Sequence, residues 1–89
     1  MIKTSGYRVS PNEVEEEIYS MSLVGEVAAM GIKHPQLGQA IVVVAALPNS
    51  PGITPELLKA ECQKRLPAFM VPLHIELSSE ALPRNPNGK

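Results

Sequence analysis

The chain has 89 residues, 44% apolar and 19% charged, an ordinary globular composition of a size that suits one small domain. With 8 Lys plus Arg against 9 Asp plus Glu, the net charge of −1 argues against a nucleic-acid partner, because phosphate binding needs a cationic surplus. The absence of Trp, with two Tyr and one Phe, argues against an aromatic stacking platform, and a single Cys excludes a disulfide framework or a Cys-rich zinc site.

In chain order, Lys3-Thr4-Ser5-Gly6-Tyr7-Arg8-Val9 is β-prone on both sides of a glycine. It reads as a short strand or tight hairpin bent at Gly6, which tolerates a positive φ. Ser10-Pro11-Asn12-Glu13 then opens a helix: Ser10 as cap, Pro11 in the first turn, Glu13 reaching back to complete a capping box. That helix runs to about Ser20, with Val14, Ile18 and Met21 as its apolar stripe. Its early acids, Glu13, Glu15, Glu16 and Glu17, read as a solvated face that the helix dipole favours.

Residues 24–32 read as a strand, 33–39 as a turn carrying Pro and Gly, and 40–47 as a central strand buried on both faces. The short connection between the two strands favours antiparallel pairing. Thr54-Pro55-Glu56 starts a second helix by the same cap-proline-acid device. Leu58, Cys62 and Leu66 form its stripe, with Leu57 beside it, and Pro67 ends it. Residues 73–77 form a third core strand, and from Ser78 the pattern is lost, giving an exposed, flexible C-terminal loop.

The expected fold is α+β: a small mixed three-stranded sheet with two helices on one face, plus an N-terminal hairpin and the C-terminal loop. A ferredoxin-like split βαβ unit fits the same string. No apolar run approaches the roughly 20 residues needed to span a bilayer, and the first residues carry no signal-peptide core. A reducing cytoplasm is the expected compartment for a chain with one thiol.

Single residues offer no complete active site. Cys62, on a helix stripe, reads as a buried, inert thiol. His34 and His74 lack ligand spacing and an acidic partner, so no metal site is expected. Two segments are left over. Gly6 permits close backbone approach to a ligand, with Lys3 and Arg8 beside it. Lys89 ends a flexible polar stretch and could deliver a mobile cation to an anionic transition state.

Four segments, in order, carry a family resemblance: Ile2-Lys3-Thr4-Ser5-Gly6-Tyr7-Arg8-Val9-Ser10-Pro11-Asn12-Glu13-Val14-Glu15; His34-Pro35-Gln36-Leu37-Gly38-Gln39; Leu66-Pro67-Ala68-Phe69-Met70-Val71-Pro72; and Leu82-Pro83-Arg84-Asn85-Pro86-Asn87-Gly88-Lys89. Together they resemble the C-terminal subdomain of the ANL superfamily of adenylate-forming enzymes, and look most like its AMP-forming acyl-CoA ligases. Met70 departs from the lysine that many relatives carry.

The resemblance implies that residues 1–89 are one mobile C-terminal domain whose partner is the N-terminal domain of the same enzyme. That larger domain would bind most of ATP with Mg and the carboxylic, expectedly fatty, acid; coenzyme A would be the co-substrate. The family hinge residue would precede Met1, and the family chain continues past the lysine. By the same resemblance Lys89 is the adenylation lysine, with Gly88 giving its loop the approach angle. Ser5, Gly6, Tyr7 and Arg8 would form the coenzyme A face, Gly6 lining the pantetheine tunnel and Arg8 meeting a phosphate. The competing reading is a standalone ferredoxin-like module that dimerises or binds a small effector.

Overall fold

The computed structural model describes residues 1–81; Gly88 and Lys89, expected to serve the adenylation step, lie outside them. The elements run β1 (Ile2–Thr4), β2 (Tyr7–Val9), α1 (Pro11–Ser20), β3 (Val24–His34), β4 (Gly38–Pro48), α2 (Pro55–Arg65) and β5 (His74–Ser78). A single 3-10 turn, Ala68–Met70, precedes β5. The class is α+β, as expected.

The sheet has five strands rather than three, because the N-terminal hairpin joins it. β4 is the hub. It pairs antiparallel with β3 along its whole length, from Val24 opposite Pro48 to His34 opposite Gly38. On its other edge it meets β1 only at Thr4 opposite Gly38, then β5 in parallel from Val42 opposite His74. The parallel partner makes the sheet mixed, and α2 supplies the crossover that such a pair requires.

The helices and one sheet face enclose the core: Val14 and Ile18 from α1, Leu58 and Cys62 from α2, and Val27, Ile41, Val43, Ala45 and Ile75 from the strands. Each large aliphatic side chain removed from water contributes about 1.5–3 kcal/mol. The expectation that β4 is buried on both faces needs correction. Ile41, Val43 and Ala45 face the core, whereas Val42 and Val44, pointing the other way, are half-buried. Beside them on β3, opposite Val42 and Ala40, Met30 and Ile32 are exposed. Ala40 and Ala46, in the same alternation as Val42 and Val44, are buried, so the second face is covered towards both ends of the strand and only half-covered at Val42 and Val44.

Helix starts follow the cap rules unevenly. The Thr54 side chain accepts a hydrogen bond from the Leu57 amide, as a cap should. Ser10 holds the cap position in extended geometry, but its side chain makes no cap bond, so the capping box is not formed. Its carbonyl accepts the Glu13 amide instead. Leu66 lies just past the end of α2 in extended conformation and still packs on the core. Leu57, beside the stripe, and Leu73, outside β5, are exposed. Arg65 on α2 reaches Glu17 on α1 at 3.7 Å and Glu61 at 3.6 Å, linking the helices at the surface.

Candidate functional site

The hairpin turns on Ser5 and Gly6, at φ of 51° and 82°. Two positive φ values in a two-residue loop give the turn type whose twist matches paired strands, and glycine is the residue suited to the second position. A Cβ built on Gly6 would meet no atom within 4 Å, so its backbone stands open to anything approaching the tip.

Ile2 faces Val9, Lys3 faces Arg8 and Thr4 faces Tyr7 across the ribbon. Ile2, Thr4 and Val9 are buried, while Lys3 and Arg8 are exposed side by side. Like charges directly opposite on a ribbon repel. Among the described residues neither cation is recorded in an ion pair. An approaching anion would relieve that repulsion.

Tyr7 does not project freely. Its ring stacks on Phe69 with centroids 4.1 Å apart and planes 14° from parallel. Phe69 belongs to the 3-10 turn after α2, so the hairpin tip is tied to a segment far from it in sequence. Below the tip lies an apolar cleft of about 510 Å³, lined among others by Ser5, Leu37, Lys59, Phe69, Val71 and Leu73. The Lys59 ammonium donates to the Leu73 carbonyl at 3.2 Å.

The hairpin is mounted on the β3–β4 turn. Ser5 donates its amide to the Leu37 carbonyl at 2.9 Å, and Lys3 donates its amide to Gln39 Oε1 at 2.7 Å. His34 Nδ1 accepts the Gln36 and Leu37 amides, both at 3.1 Å. Gly38, at φ 86°, takes the backbone from this turn into β4. Reading by residue type missed Phe69, His34 and Gln39 as parts of this assembly. The signal was present in the two ordered segments that contain them.

Cys62 is buried, and its thiol is pushed up to about 11, by burial first and then by the Glu17 carboxylate; Arg65 opposes the shift. An un-ionised thiol is a poor nucleophile and metal ligand. Among the described residues no three His, Cys, Asp or Glu side chains converge as a metal site, and no helix is long and apolar enough to cross a membrane.

So the structure brings Ser5, Gly6, Tyr7 and Arg8 together on one exposed tip. Residues 13–89 match the AMP-binding enzyme C-terminal domain family. The chain belongs to that family.

Similarity to other members runs the length of the chain. A long-chain-fatty-acid–CoA ligase of Salmonella typhimurium is 35% identical over 89 residues, covering 100% of this chain and 16% of the relative. A fatty acyl CoA synthetase of Mycobacterium tuberculosis superposes with a TM-score of 0.84 at 29% identity, over 100% of this chain and 17% of that one. An acyl-CoA synthetase of Brucella canis gives 0.80 at 35% identity, over 99% and 17%. This family domain therefore spans about one sixth of the length of the proteins it matches.

Proposed function

We propose that residues 1–89 form the C-terminal domain of an AMP-forming acyl-CoA ligase, acting with the N-terminal domain of the same enzyme. The reaction has two steps. A carboxylate oxygen attacks the α-phosphorus of ATP, and pyrophosphate leaves. A thiol then attacks the acyl carbon, and AMP leaves with the electron pair of the broken bond. A fatty acid is the substrate class and coenzyme A the thiol, in keeping with the full-length similarity to a long-chain-fatty-acid–CoA ligase. ATP and its magnesium ion belong mainly to the N-terminal domain in this reading, and a reducing cytoplasm is its compartment.

In the first step Lys89 neutralises the two anions that must meet, with Gly88 setting its approach. A positioned donor of this kind is worth about 10²–10³ in rate. In the second step the domain turns and the hairpin tip enters. Gly6 lets the pantetheine pass, Ser5 and Tyr7 shape the tip, and Arg8 meets a phosphate of coenzyme A. The observation that carries the reading is the tip itself: an open glycine at positive φ, beside two adjacent cations with no recorded ion pair among the described residues. It supports a ligase face over a standalone dimerising module.

The test separates the half-reactions in the full-length enzyme. Lys89→Ala is expected to lower acyl-adenylate formation by about 10²–10³. Thioester formation from a supplied acyl-adenylate is expected to survive. Equal loss of both steps would remove the role assigned to Lys89.

A further inference from the structure

His34 closes β3, and its ring folds back over the turn that follows. His34 Nδ1 offers one lone pair, which the two amides share. The ring does here what an Asx side chain does elsewhere, taking the amides two and three residues on. Those amides belong to Gln36 and Leu37, and the Leu37 carbonyl in turn receives the Ser5 amide.

Ile2 and Val9 seat the base of the hairpin in the core, but its backbone attachment is thin. Lys3, Thr4 and Ser5 are met in order by Gln39, Gly38 and Leu37, and only Thr4 opposite Gly38 is regular strand pairing. Beyond those buried anchors at its base, the 34–39 turn, rather than a long ladder, is what the Ser5 end of the ribbon rests on. The Tyr7–Phe69 stack clamps the other strand of the same ribbon.

We propose that His34 is a positioning residue for the thiol step, holding the hairpin tip in place through the β3–β4 turn. The proposal rests on the reading of that tip as the coenzyme A face. Without the ring, the Gln36 and Leu37 amides turn to water, the Leu37 carbonyl is no longer aimed, and the Ser5 amide loses its acceptor.

The experiment uses the full-length ligase with His34→Ala and His34→Asn, since an Asn oxygen can accept the same two amides. Amide hydrogen exchange at Ser5 is expected to accelerate in His34→Ala and to return towards wild type in His34→Asn. Loss of the two bonds should raise the KM for coenzyme A, with supplied acyl-adenylate, by about tenfold in His34→Ala. Acyl-adenylate formation should change less than about twofold, and His34→Asn should recover the KM, if only hydrogen-bond acceptance matters. Unchanged Ser5 exchange in His34→Ala, or no rescue by Asn, overturns the proposal. Faster Ser5 exchange with an unchanged KM overturns the thiol-face reading beneath it while leaving the link from turn to hairpin intact. Equal loss of both half-reactions reduces His34 to a folding role and overturns the proposal too.

Discussion

Glu15 on α1 accepts a hydrogen bond from the Ala29 amide at 2.8 Å, and so caps an outward-facing amide on the free edge of β3. One helical turn on, the Tyr19 hydroxyl accepts the Val27 amide at 3.3 Å. An uncovered edge offers its amides to other chains, and side chains from a neighbouring helix remove that offer. The early acids of α1 are thus not all solvated: one of them completes the sheet.

Glu15→Ala should leave the Ala29 amide without its acceptor and destabilise the domain by about 1–2 kcal/mol, whereas Glu15→Gln, which keeps an oxygen in place, should cost less. Urea denaturation of the two variants measures the difference. A null effect from the alanine change would show that water replaces the carboxylate without cost.

The Tyr7–Phe69 stack should contribute a coupling of about 0.5–1.5 kcal/mol beyond its buried area. A double-mutant cycle with Tyr7→Ala and Phe69→Ala reads that coupling directly. Additive single effects would mean that the rings touch without holding the hairpin.

Gly6 separates strain from obstruction. Any side chain there pays for a left-handed backbone, about 1–2 kcal/mol, yet none meets an atom of this domain within 4 Å. Gly6→Ala and Gly6→Leu should therefore be destabilised alike. In the full-length enzyme Gly6→Leu should slow thioester formation well beyond Gly6→Ala, with pyrophosphate exchange little affected in either. Similar thioester rates for the two variants would argue against a narrow passage at the tip.

Cys62 makes stability depend on alkaline pH. The unfolded thiol ionises near 9.0, whereas the folded one, buried beside Glu17, holds its proton to about 11. Between those values the unfolded state binds fewer protons, so stability falls as pH rises, by up to about 1.4 kcal/mol per unit. Below pH 9 the contribution is fully present. Denaturation curves from pH 7 to 10.5 should show a steeper decline for the wild type than for Cys62→Ala. In the native state iodoacetamide should leave Cys62 unlabelled at pH 8; rapid labelling would contradict its burial.

Much of the fold was legible in the order of residues. Pro11 and Thr54-Pro55-Glu56 mark helix starts, the run from Ala40 to Leu47 marks the central strand, and Ser5-Gly6 marks the hairpin turn, because each signal acts within a few residues. The four ordered segments likewise pointed to the family. Chain order could not reveal that the hairpin joins the sheet through one residue pair, that Tyr7 meets Phe69, or that Glu15 reaches the edge of β3. Nor could it show that the two faces of β4 are covered unequally, with Val42 and Val44 only half-buried. Those facts depend on strand register and on how the helices lie across the sheet. Register and packing are settled by contacts between residues far apart in sequence, which no local pattern encodes. Ser5, Gly6, Tyr7 and Arg8 were legible as a hairpin tip; only tertiary structure decided that Leu37 and Phe69 brace it.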